Sequence, residues 1–278
     1  MERKVEVDGC SIHFDVRGEG DPVVFVQGVG LGGDGWLPQV EALRARYRCI
    51  TFDHRGIGRS QPVPRTLTVD RMASDTLAVM DAAGAGPVHL VGHSLGGCVA
   101  LALALREPKR VRSLALLCTS ARGADATRLT LPTLLLWLRT RIGSRKMRRS
   151  AFLQIVLSPD YRRGLDLALE ASRLAPLFGH DLADSPPVAM KQLSALRKFN
   201  ATRRLSELGG KPTLVMCGGK DLIFAPESSR ALAQGIPGAE FIEYAHGSHG
   251  LTIEMASEVN QELLKHFAPA FVRGPDGG

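Results

Sequence analysis

Ser94 stands in Gly92-His93-Ser94-Leu95-Gly96, where an apolar run, Pro87-Val88-His89-Leu90-Val91, gives way to a run of helix formers from Cys98 to Leu105. A strand that passes into a helix across so few residues forces strained backbone angles at the apex. Glycines at 92 and 96 remove the side chains that would collide there. Such an apex holds a hydroxyl in a fixed position beside the amino end of a helix, whose dipole favours negative charge. The chemistry this suits is nucleophilic attack. A serine hydroxyl is a weak nucleophile at neutral pH and needs a base within hydrogen-bond reach; the chain offers eight histidines. The plainer reading, a small polar residue in a tight turn, leaves the strand-turn-helix context unexplained.

Elements on both sides must hold this apex. Strand patterns fall near 3–8, 11–17, 22–27, 48–53, 87–91, 111–118, 212–217 and 239–244. Helical patterns fall near 36–46, 68–83, 95–106, 226–235 and 254–267. An antiparallel start followed by repeated strand-helix units implies a mostly parallel central sheet covered by helices on both faces. The alternation stops after Cys118 and resumes at Lys211, too long a gap for a bare loop in a compact domain. Helical runs at 129–142, 145–157, 160–174 and 186–199 fill it. The expected organisation is therefore an α/β core, residues 1–120 and 209–278, with a helical cap over 121–208 inserted after the sixth strand.

Composition narrows the class. A chain of 278 residues with 44% apolar and 23% charged residues is ordinary for a globular protein. No run of about 18 apolar residues appears, so no stable membrane insertion is expected. The start, MERKVEVDGCSIHFDV, enters strand-like sequence with no leader pattern. Five cysteines, Cys10, Cys49, Cys98, Cys118 and Cys217, are odd in number and without metal-type spacing. Together these favour a reducing, cytoplasmic setting. The tail 274–278 reads as disordered. The net charge of +7 is moderate, and no interleaving of basic and aromatic residues suggests nucleic-acid binding.

Five pieces in order carry a resemblance: VVFVQGVG (23–30), TFDHRGIGRS (51–60), GHSLGG (92–97), GGKDLIFAP (218–226) and HGSHGLTIE (246–254). With these the chain resembles the α/β-hydrolase superfamily, in its serine-nucleophile, cap-containing esterase- and lactonase-like branch. The resemblance covers both ends of the chain and leaves out the cap. It implies Ser94 as nucleophile, with the acid and then the histidine following in chain order. His249 is the implied base, since Glu254 follows it by five residues as in similar proteins. His246 is the alternative. Asp221, in the pattern from Gly218 to Asp221, is the implied acid that orients the base; Asp125, after strand six, is the minority alternative.

The resemblance also implies an oxyanion hole built from the Leu95 and Val29 N–H groups. Gly28 would let the backbone approach a substrate closely. Many relatives read His-Gly where this chain reads Gln27-Gly28, and Ser248 stands where a glycine commonly precedes the histidine. The polar loop 53–60 lacks the spacing of a nucleotide site and reads as structural, as does Trp36. In the cap, Leu134 to Leu138 includes Trp137, expected to line an apolar pocket over Ser94. The neighbouring Arg139, Arg141, Arg145, Lys146, Arg148 and Arg149 read as a solvated basic face.

The expected activity is cleavage of a carboxylic ester or lactone of a small to medium apolar substrate, without a cofactor or a metal. A small ester-like molecule is then the partner. Carbon-carbon hydrolysis, perhydrolysis or acyl transfer on the same triad are the rival chemistries, and a small-molecule receptor the non-catalytic one.

Overall fold

The computed structural model describes residues 2–127 and 130–268. The tail expected to be disordered lies outside the described residues, as do 128 and 129 at the start of the first expected cap helix.

Eight strands form one sheet: β1 Glu2–Val7, β2 Cys10–Arg17, β3 Asp21–Val26, β4 Tyr47–Phe52, β5 Val88–His93, β6 Val111–Leu117, β7 Thr213–Gly218 and β8 Glu240–Tyr244. Their order is β1-β2-β4-β3-β5-β6-β7-β8. The β1–β2 and β2–β4 pairs are antiparallel and the other five are parallel. Alternation along the strands divides the core between two faces. Val24 and Val26 turn to one side, against the cluster holding Met72, Met80, Val99 and Leu103. Val23 and Phe25 turn to the other, against Trp36, Val40, Val259 and Leu263.

The helices behind those clusters are α1 Leu37–Leu43, α2 Val69–Ala82 and α3 Leu95–Arg106, then, after β7, α9 Pro226–Gly235, the short α10 Leu251–Glu254 and α11 Ala256–Phe267. Helix α3 is buried from Leu95 to Leu105, as its lack of a polar face requires. Between β6 and β7 the chain forms α4 Leu131–Arg139, α5 Arg145–Val156, the short α6 Pro159–Arg162, α7 Leu167–Phe178 and α8 Ala189–Lys198.

Three helical expectations need correction. The run 160–174 is two helices, because Gly164 takes φ +78° and the Asp166 carboxylate caps α7 by accepting from the Ala168 and Leu169 N–H groups. Residues 254–267 are likewise interrupted, at Met255, where φ is −123°. The run 36–46 ends earlier, with a 3-10 turn over Gly33–Trp36 leading into α1.

Within α4, Leu136 and Trp137 pack inward beside Leu153 and Phe178, whereas Leu134, Leu135 and Leu138 stay exposed. Nor is the basic stretch wholly free. Arg145 and Arg149 bind Asp181, and Arg145 also binds Asp184 at 2.7 Å, tying α5 to the loop after α7. All five cysteines are buried free thiols. Among the described residues no helix is long and apolar enough to cross a membrane.

Candidate active site

The parallel strands deliver their carboxyl ends to one edge of the sheet, where ligands of open α/β sheets bind. Ser94 stands there, directly after β5, with φ 56° and ψ −122°. Its backbone is pinned: the Ser94 N–H donates to Leu117 O at 2.9 Å, and Thr119 Oγ1 donates to Ser94 O at 2.8 Å. The two glycines are needed for the reason the sequence suggests. A Cβ on Gly96 would lie 2.0 Å from Val26 O, and one on Gly92 would lie 2.4 Å from Gly96 O.

Asp221 follows β7 and His249 follows β8, and the two meet: His249 Nδ1 lies 2.9 Å from Asp221 Oδ2, both residues buried. The other carboxylate oxygen, Oδ1, accepts from the N–H groups of Ile223 at 2.7 Å and Phe224 at 3.0 Å. With an acceptor at Nδ1, the ring carries its proton there and leaves Nε2 bare, the form a base requires. Ser94 and His249 line one cavity. Ser94 Oγ makes no hydrogen bond among the described residues; such contacts commonly close only around substrate. The alternatives stand elsewhere. His246 is exposed and bound to Asp160 at 3.0 Å, while Asp125 is engaged by Ser120 at 2.7 Å and Arg122 at 2.7 Å.

Neither the Val29 nor the Leu95 N–H has a hydrogen-bond acceptor among the described residues. Leu95 opens α3, where the first N–H groups lack helical partners. Gly28 comes so close to Ser94 that a Cβ there would lie 3.1 Å from the serine Cβ. The cavity holds about 360 Å³ and is walled by Gly28, Val29, Trp137, Phe152, Phe178 and Ile223, among others.

Several supporting residues were not foreseen. Gln27 Oε1 accepts the Gly28 N–H at 2.8 Å. Ser248, in place of a glycine, donates from Oγ to Val156 O at 2.6 Å, and the same carbonyl accepts from the Gly250 N–H at 2.5 Å. The carbonyl that ends α5 thus braces both neighbours of His249. Glu254 accepts from the N–H groups of Ser248 and Ser158. No local spacing could have paired these segments.

His93 is not a second base. Its Nε2 donates to His249 O at 2.8 Å, and burial, aided by the charge of His249, lowers its pKa to about 3. His93, Cys118 and His249 place three donor atoms within 4.8 Å of one another. Asp221 and a carbonyl hold one nitrogen of each ring, and burial raises the Cys118 thiol well above its usual range, which disfavours the thiolate that a metal would need.

Residues 21–255 match the family model described as the alpha/beta hydrolase fold. The chain is 30% identical over 261 residues to RutD of Azorhizobium caulinodans, named as a candidate carbamate hydrolase, covering 92% of this chain and 94% of that one. Among solved structures, an N-acyl homoserine lactone degrading enzyme superposes with a TM-score of 0.78 at 29% identity, covering 95% of this chain and 100% of the other. The enol-lactonase of Burkholderia xenovorans LB400 does so with a TM-score of 0.78 at 25% identity, covering 95% and 99%.

Proposed function

This chain belongs to the α/β-hydrolase family, and from that premise we propose that it hydrolyses a carboxylic ester or lactone through an acyl-serine intermediate. One observation carries the reading: a buried histidine oriented by a buried carboxylate at 2.9 Å shares a cavity with a strained, helix-capping serine.

Ser94 Oγ attacks the substrate carbonyl while His249 Nε2 takes its proton. The negative charge that develops on the carbonyl oxygen meets the Val29 and Leu95 N–H groups, aimed before the reaction begins. Collapse of the tetrahedral adduct breaks the bond to the alcohol oxygen, which leaves with the proton from His249. Water then gives its proton to His249, attacks the acyl carbon and releases the acid, returning the proton to Ser94. Asp221 holds the ring in the Nδ1–H tautomer and stabilises the imidazolium of each step.

The helices between β6 and β7 serve in this reading as a cap. Trp137, Phe152 and Phe178, on three of them, contribute an apolar wall suited to a medium-length or aromatic acyl group. The lactone-degrading structures support the ester or lactone class. A carbamate is the second reading, favoured by the name of the RutD relative; the apolar wall weighs against a small polar carbamate.

Initial rates on p-nitrophenyl esters from acetyl to palmitoyl, with a p-nitrophenyl carbamate alongside, test the proposal. The expected profile rises to a maximum at intermediate chain length, with the carbamate slower than the best ester. Turnover no faster than that of Ser94→Ala at every length would defeat the ester reading.

A further inference from the structure

Val29 lies between two peptide groups that are each held by a glutamine carboxamide. The Gly28 N–H donates to Gln27 Oε1 at 2.8 Å, and the Gly30 N–H donates to Gln192 Oε1 at 2.8 Å. Gln192 comes from α8, 162 positions away in the chain, and is fully buried. Its Nε2 has no partner among the described residues. A buried amide nitrogen left unpaired is unfavourable, and an apolar side chain would fill the space without that penalty. What the carboxamide supplies is the acceptor for Gly30.

The Gly30 carbonyl is held as well, by His180 Nε2 at 3.2 Å, just beyond α7. Gly30 itself has φ +79°, and Pro186 Cδ lies 3.6 Å from where its Cβ would be. Three residues from between β6 and β7 thus enclose one glycine of the loop after β3.

We propose that Gln192 is a positioning residue that couples the seating of α8 to the aim of the Val29 N–H, with Gln27 fixing the same loop from the other side. The proposal rests on Val29 acting as an oxyanion donor. The Val29 N–H sits in the middle of three consecutive peptide planes. With both outer planes pinned, the middle one turns only through a concerted change in Gly28 ψ and Val29 φ. A donor held this way needs no reorganisation when charge appears in front of it.

Two readouts on the full-length protein test this, with Gln192→Met removing the acceptor and Gln192→Glu keeping an oxygen at the same reach. In Gln192→Met the kcat for the best ester falls about 10- to 100-fold, less than loss of a donor outright, while KM stays within about threefold. Gln192→Glu recovers most of that loss. Amide hydrogen exchange at Gly30 quickens by about tenfold or more in Gln192→Met, with β5 amides unchanged as a check on folding, and does not quicken in Ser94→Ala. Unchanged Gly30 exchange overturns the proposal. So does a raised KM at unchanged kcat, which would make Gln192 a pocket-shaping residue only. A wild-type protein that hydrolyses no ester defeats the catalytic reading, and the exchange result then still decides whether Gln192 holds the loop.

Discussion

Ser94→Ala lowers kcat for ester hydrolysis by about 10⁴-fold or more, because a triad fails as a unit and the Cys118 thiol near His249 is fully buried, where desolvation disfavours the nucleophilic thiolate. The bonds that pin position 94 are made by its N–H and C=O, so alanine keeps them and the thermal midpoint stays within about 3 °C. The same logic governs combination. His249→Ala costs a similar factor, and the double variant is little worse than either single one. Steady-state kinetics with an active-site-independent measure of folded protein checks both. A Ser94→Ala protein retaining a tenth of the activity would remove the serine from the chemistry.

Asp221→Asn is expected to cost about 10³- to 10⁴-fold in kcat with little change in KM. The asparagine oxygen can still accept from the Ile223 and Phe224 N–H groups, which now bond to Oδ1 at 2.7 and 3.0 Å. Its NH₂ then faces His249 Nδ1, where the carboxylate oxygen now lies at 2.9 Å. A donor at that point drives the ring proton to Nε2, the nitrogen that must be bare to receive the serine proton. The loop stays in place and the tautomer is wrong. A loss of less than tenfold would show that Asp221 is not what orients the base.

The core sheet was legible in the sequence because the inner strands β3, β5, β6 and β7 are short, mainly apolar runs while β2 alternates polar and apolar residues, and α3 and α9 run over the residues their patterns indicated. Boundaries shifted where backbone conformation overrode pattern: Gly164 interrupts a helical periodicity that side chains alone would continue. Ser94 was readable because its geometry is imposed locally, by Gly92 and Gly96 on the same turn. Asp221 and His249 were chosen through family order, since contact between residues 28 positions apart leaves no spacing signal; their meeting at 2.9 Å is a fact of the fold.

In α4 the apolar run Leu134 to Leu138 was too long to be exposed throughout, and Leu136 and Trp137 turn inward, Trp137 onto the cavity wall, while Leu134, Leu135 and Leu138 stay exposed. The long-range braces were invisible for a different reason. Gln192, Ser248 and Val156 act through backbone groups of distant segments, and an ordinary glutamine, serine or valine announces nothing about the carbonyl or N–H it will meet.

The central claim is a covalent acyl group on Ser94, and the most direct measurement is the mass of the protein quenched in acid during turnover of its best p-nitrophenyl ester. The expected result is a population heavier by one acyl group, with the added mass on the peptide containing Ser94 and absent from Ser94→Ala. Turnover that depends on Ser94 but leaves no acylated peptide, or an adduct that maps to another residue and persists in Ser94→Ala, would contradict the account.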